Sequence, residues 1–272
     1  MALILVRGTG DVGSAVAHAL FRAGHGVILH DTPMPAHARR GMSYADALFN
    51  GDVELEGVRA KRSKGLDGLR HMVGCGRAIP VVDIELATVV QAIKPDVVVD
   101  ARMQKRHPPE IQRGLAPFMV GLGPQFVAGE NADVAVETAW GERLGAVIKS
   151  GPTLALAGEP KELGGHGRDR FVYAPASGRF QTNLEIGDRV AAGDEVARIG
   201  DRSLVAPLSG CLRGLTRNDV LVEAGAKVVE VDPRNDISLV RGLGERPSRI
   251  AAGVLQAVTA ATAAPPVKTN EL

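Results

Sequence analysis

The chain has 272 residues, 45% of them hydrophobic, with 32 basic and 31 acidic side chains. This length allows one large domain or two smaller ones around a real core, and the near-balanced charge gives no general attraction to nucleic acid or membrane. Aromatics at 3% argue against a base-stacking platform for single-stranded nucleic acid, and Cys75 and Cys211 are too far apart for a C-x-x-C or zinc motif.

An apolar run at 3–6 predicts a buried strand. It leads into Gly8-x-Gly10-x-x-Gly13, which opens a helical pattern over 11–23 ended by Gly24. At a strand-to-helix turn the first glycine permits the tight turn, the second lets a phosphate approach the backbone, and the third lets the helix pack on its strand. The helix N-terminus then offers amide donors and a positive dipole end to an anion. A second strand at 27–30 ends on Asp31, 18 residues after Gly13. An acid is needed near that distance to meet ribose hydroxyls. Gly8, Gly10, Gly13 and Asp31 are therefore candidate contacts for NAD(P) or another nucleotide.

Pro33 and Pro35 break the chain, and Arg39 and Arg40 follow. These two arginines read either as solvated charges at a helix start or as partners of a 2′-phosphate or another anion. A short helix is expected at 44–49 and a hairpin around Gly57 at 52–64. A strand at 79–82, a helix at 86–93 and a strand at 96–99 restore the β-α-β rhythm and predict a mostly parallel sheet. Asp100, Arg102, Lys105 and Arg106 stand at the carboxyl end of the last of these strands, the edge at which open α/β sheets bind ligands. The cations would meet phosphate or carboxylate through charge-assisted hydrogen bonds. With Arg102 so close, Asp100 reads as an acceptor rather than a general base. More strands are expected at 118–122, 134–138 and 145–148.

Beyond Gly164-Gly165 the sequence repeats itself with an offset of 32 residues. Ala174, Pro175, Ser177, Gly178, Val190, Gly193 and Val196 return as Ala206, Pro207, Ser209, Gly210, Val222, Gly225 and Val228. Two such strand–turn–strand halves resemble the biotinyl/lipoyl-like barrel-sandwich hybrid. Carrier members of that group bear their cofactor on a lysine in the hairpin between the halves. Here 194–205 contains no lysine, so neither biotin nor lipoate is expected, and the module reads as structural or docking. A helix at 250–261 and a frayed tail from Pro265-Pro266 close the chain. The expected architecture is α/β: a Rossmann-like nucleotide-binding domain over 1–160, a barrel-sandwich-hybrid β module over 168–233, and a C-terminal helix and tail over 236–272.

The order of blocks resembles the accessory-protein family of the selenium-dependent molybdenum hydroxylase system, related to xanthine dehydrogenase accessory proteins. The segments that carry the resemblance are Arg7 to Gly13, Val16 to Leu20, Arg22 to Gly24, Asp31 with Pro35, Asp100 to Arg106, Gly121 to Pro124 with Phe126 and Gly129, Gly164-Gly165, Ala174-Pro175 with Gly178, and Ala252 to Leu255. The resemblance implies a maturation factor for a client molybdenum hydroxylase, binding a nucleotide or the molybdenum cofactor at the glycine-rich turn. An NAD(P)-dependent oxidoreductase and a non-enzymatic nucleotide-sensing adaptor are the alternatives. No residue is assigned a catalytic role, no metal-ligand spacing is found, and with no secretory signal or bilayer-length apolar run a cytoplasmic protein is expected.

Overall fold

The computed structural model describes residues 1–104, 109–156 and 160–263. In chain order its first part runs β1 (Leu3–Arg7), α1 (Asp11–Arg22), β2 (Gly26–His30), α2 (Ala47–Asn50), β3 (Asp52–Leu55), β4 (Val58–Arg62), α3 (Gly65–Cys75), β5 (Ile79–Val82), α4 (Leu86–Ile93), β6 (Val97–Asp100), β7 (Phe118–Leu122), β8 (Val127–Ala128), β9 (Val134–Val136), β10 (Val147–Ile148) and β11 (Gly151–Pro152). Nine of these strands form one sheet in the order β10-β9-β7-β6-β1-β2-β5-β4-β3. Seven, from β9 to β4, are parallel, and an antiparallel strand closes each edge. Successive residues of a strand point to opposite faces, and both faces of this sheet are covered. Ile4 and Val6 pack with α1 on one face. Leu5, Ile28 and Val98 pack with Leu69 of α3 and Val89 of α4 on the other. Near-continuous Val/Ile/Leu runs such as Val97–Asp100 reflect this two-sided burial.

The hairpin expected around Gly57 is present. Glu56 and Gly57 both have positive φ (44° and 78°) between β3 and β4, as a two-residue type I′ turn requires. The helix over 65–75 has no counterpart in the sequence reading. The last helix, α5 (Glu245–Ala263), packs on the α1 side of the sheet through Ile250, Val254 and Val258. At Gly253 an added Cβ would stand 2.0 Å from the Gly145 carbonyl oxygen, so this helical glycine is a contact point despite its low helix propensity. The tail expected to fray from Pro265 lies outside the described residues.

The repeat builds β12 (Phe171–Tyr173), β13 (Gly178–Gln181), β14 (Arg189–Val190), β15 (Glu195–Ile199), β16 (Arg202–Val205), β17 (Gly210–Leu215), β18 (Leu221–Val222) and β19 (Lys227–Asp232). They form two four-stranded antiparallel sheets, β12-β19-β17-β14 and β16-β15-β13-β18. Shifting the first order by the 32-residue repeat gives the second, so the two sheets are related by pseudo-symmetry. Phe180, Val196 and Leu204 of one sheet share a core with Leu212, Val229 and Val231 of the other. The sheets stay open: the strand pairing does not close them into a barrel.

Candidate functional site

The carboxyl ends of the parallel strands bring the sequence-predicted residues to one edge. Arg7 at the end of β1 is in register with His30 of β2 on one side and with Asp100 of β6 on the other. The chain leaves β1 towards β2, and β6 returns on the opposite side, so Gly8 lies at the topological switch point of the sheet. Its φ is 105°, and a Cβ there would come within 3.0 Å of the Ala101 carbonyl group and Arg102 Cα. At Gly13 a Cβ would stand 1.9 Å from the Gly8 oxygen, so α1 sits directly on the turn.

Asp31 completes this turn. Its Oδ2 accepts the Thr9 amide (2.7 Å) and the Thr9 hydroxyl (2.6 Å) and lies 2.9 Å from His37 Nε2, while Oδ1 accepts the Thr32 amide. Burial disfavours its charge, but His37 and Thr9 outweigh that and hold the carboxyl well below its ordinary range. His37 is raised, because Asp31 outweighs its burial. The His37 ring covers Gly10, where a Cβ would lie 3.2 Å from the imidazole. Asp31 thus frames the glycine turn, a duty that spacing alone does not reveal. The Thr9 hydroxyl and a histidine two residues after Pro35 were its available signals.

Asp100 and Arg102 are joined in a closed network. The Arg102 guanidinium donates to Asp100 Oδ2 (2.6 Å) and Glu110 Oε2 (2.8 Å), Gln112 donates to Asp100, and Arg7 donates to Glu110 and Gln112. Against the upward push of burial, Arg102 and Arg7 hold Glu110 down at about 2. Lys105 and Arg106 lie outside the described residues.

The β module reaches the first turn of α1 through Arg39. Asp11 in the first turn of α1 accepts its neighbouring Val12 amide and a 2.9 Å bond from Arg39 Nη1. Arg39 also donates to the buried Glu230 of β19, through Nε (2.8 Å) and Nη2 (3.1 Å). Arg40 is buried as well and donates to the Leu215 carbonyl, Asp46 and Glu185. Neither arginine is a solvated charge. Sequence reasoning missed Lys227, Glu230, Arg170 and Arg213: Glu230 meets Arg39 from 191 residues away in the chain, and the three cations gather on Glu230. At the far end of the same edge, Lys61, Arg62, Lys64, Asp52 and Asp83 line an open cleft of about 660 Å³. Among the described residues no group of three or more His, Cys, Asp or Glu could hold a metal ion, and no helix is long and apolar enough to cross a membrane.

No family model matches the chain. The uncharacterized protein YqeB of Escherichia coli (strain K12) is 34% identical over 256 residues, which are 94% of this chain and 47% of that protein. The chain spans about half the length of this curated relative. Among solved structures, the product-bound ectoine utilization protein EutE (DoeB) of Ruegeria pomeroyi is 15% identical, covering 85% of this chain and 84% of that one at a TM-score of 0.25. A succinylglutamate desuccinylase/aspartoacylase of Rhodobacter sphaeroides is 15% identical with the same coverage and a TM-score of 0.26. A UDP-glucose-4-epimerase of Stenotrophomonas maltophila with bound NAD is 18% identical, covering 47% of this chain and 39% of that one at a TM-score of 0.25.

The accessory-family resemblance does not stand. The solved structures that match across most of the chain include succinylglutamate desuccinylase/aspartoacylase proteins, and neither these nor the uncharacterized relative indicates an accessory protein of a molybdenum hydroxylase. The maturation role, the selenium connection and the basis for a client hydroxylase are withdrawn with it. The physical reason lies in the blocks themselves. The glycine turn, the strand-end glycines and the paired turn residues are demands of backbone geometry, which many unrelated proteins share. At these TM-scores the solved structures carry no activity to this chain, and the oxidoreductase and adaptor alternatives gain no support from them.

Proposed function

We propose that the chain binds a phosphorylated small molecule of the nucleotide class, NAD(P) among the candidates, at the carboxyl edge beside Gly8, Gly10 and Gly13. The observation that supports this reading most is the turn itself. It lies at the switch point of a 3-2-1-4-5-type parallel sheet, and both Gly8 and Gly13 occupy positions where the backbone leaves no room for a side chain. Asp31, with Thr9 and His37, holds the turn in shape. Asp100 and Arg102 form its β6 wall, and Lys105 and Arg106 remain candidate cations on their sequence position. With the accessory family set aside, nothing independent supports the molybdenum cofactor, and it is not part of the proposal. The division into a nucleotide-binding unit over 1–160 and a β module over 168–233 belongs to the same reading, as does the finer assignment of that module to the barrel-sandwich hybrids, which rests on its repeat-related strand pairing.

Calorimetric titration of the chain with AMP, ADP, NAD and NADP tests the reading. At least one is expected to bind below about 1 mM, and Gly10→Val, whose side chain must displace the His37 ring, is expected to abolish that binding while the circular dichroism is unchanged. No binding by any of the four, or unaltered affinity in the variant, contradicts it.

A further inference from the structure

The junction between α1 and the β module holds more positive charge than its own carboxylates balance. Among the described residues, Arg39, Arg170, Arg213, Lys227 and Arg234 pair with Asp11, Glu230 and Asp232, five cations to three carboxylates and an excess of two. Glu230 is fully buried. It accepts both Arg39 bonds and Lys227 Nζ at 3.1 Å, with Arg170 Nε at 3.5 Å and Arg213 Nε at 3.6 Å. Those two Nε groups are buried and make no hydrogen bond, and the Arg170 side chain is only 3% exposed. A buried donor without an acceptor and an uncompensated buried cation are both unfavourable. Asp232 is already taken by Arg213 and Arg234.

The repeat supplies an internal comparison. Lys227 and Glu230 occupy the positions that Glu195 and Arg198 hold in the first half. There the pair is an ordinary exposed ion pair, 3.1 Å apart. The fold of the β module therefore does not require a buried cationic cluster on this strand. It occurs only on the copy that faces the glycine turn.

We propose that this junction is an anion subsite, formed by Arg39 and Lys227 with Arg170 behind them, that takes a doubly charged phosphate or pyrophosphate group. Arg39 and Lys227 are the partly exposed members, and Arg39 bonds directly to the first turn of α1. Asp11 offsets the dipole end of that helix, so the cations of the β module supply attraction that the glycine turn alone lacks. Two net positive charges suit a dianion. The proposal deepens the nucleotide reading and rests on it for the rest of the ligand, but the subsite itself needs only the phosphate.

Lys227 gives the test a specific readout. Burial and Arg39 push its ammonium down to about 8, against the opposing pull of Glu230 and Asp11, and the ammonium also lies 4.5 Å from the centroid of the Phe171 ring. At pH 8 the group is therefore partly deprotonated, and an anion beside it draws a proton in. The full chain is titrated with inorganic pyrophosphate at pH 8 in two buffers of different ionisation enthalpy. Binding is expected, with a proton uptake that depends on Lys227. Lys227→Gln weakens it at least tenfold, and Lys227→Arg keeps the affinity while the uptake contributed by Lys227 disappears. Absence of pyrophosphate binding, or binding with an affinity and proton uptake that Lys227→Gln leaves unchanged, overturns the subsite. AMP and adenosine run alongside separate the two readings. Pyrophosphate binding that depends on Lys227, with no nucleotide preferred, keeps the subsite and removes the nucleotide reading. Nucleotide binding that ignores Lys227→Gln does the reverse.

Discussion

Replacing Glu230 by Gln keeps the shape of the side chain and removes the negative charge on which Arg39, Lys227, Arg170 and Arg213 converge. The wild-type carboxylate is fully buried and receives three hydrogen bonds of 2.8 to 3.1 Å, two from Arg39 and one from Lys227. The variant leaves Arg39, Lys227, Arg170 and Arg213 around a neutral amide whose NH2 group also faces donors. Removing one partner of a buried ion pair costs about 3–5 kcal/mol, a large share of a typical domain stability of about 5–15 kcal/mol. Urea unfolding at pH 7 should show a lower midpoint with an unchanged slope. Burial opposes the charge of Glu230, but Arg39 and Lys227 hold its carboxyl well below the ordinary range. A depressed folded pKa stabilises above the unfolded value, about 4.3 for Glu, and that contribution fades as pH falls towards the folded value. The gap between wild type and Glu230→Gln should therefore be constant from neutral pH to about pH 5 and narrow in stronger acid. A gap under about 1 kcal/mol at pH 7, the size of an exposed pair, refutes the reading of this carboxylate as the buried centre of the junction's ion pairs.

Gly13→Ala places a methyl 1.9 Å from the Gly8 oxygen. It should destabilise by about 3 kcal/mol, at the upper end of overpacking costs, and weaken any ligand at the turn; wild-type stability in the variant would show that α1 moves freely. In Asp31→Asn the raised pKa of His37 should fall towards or below about 6.5, read from its ring protons by NMR; an unmoved titration would separate His37 from Asp31. Because Lys227 is depressed in the fold, its charged form is disfavoured there. Lys227→Met should therefore raise the urea midpoint at pH 7 without phosphate, and the gain should shrink as pH rises from 8 towards about 10.4; a lower midpoint at pH 7 would show that its bond to Glu230 dominates.

The parallel sheet was legible because its signals are local. Apolar runs at β1, β5 and β6 alternate with helical patterns, and the glycine spacing marks the first turn. The helix α3 was not legible, since Gly65, Gly68 and Gly74 depress its helix propensity and Leu69 is its one buried residue. The repeat was read correctly as two related halves because turn glycines recur at a fixed offset, yet nothing in that offset shows whether the sheets close. The site was legible only in part. Spacing found Asp31 but not its partners, because Thr9 and His37 reach it through the folded turn. The junction was hidden for the same reason: Arg39 looks like any surface arginine until β19 places Glu230 against it. The family resemblance failed because it was assembled from turn motifs that geometry imposes on many chains.

The central claim is that the glycine turn and its cationic wall receive a phosphorylated ligand. Its most direct test is an amide NMR titration of the labelled chain with AMP, ADP and NAD. Saturable shifts concentrated at Gly10, Asp11, Gly13, His37 and Lys227 are expected, with the far cleft around Lys61 and Lys64 unmoved. Spectra that do not change at the turn, or shifts confined to the Lys61–Lys64 cleft, would contradict it.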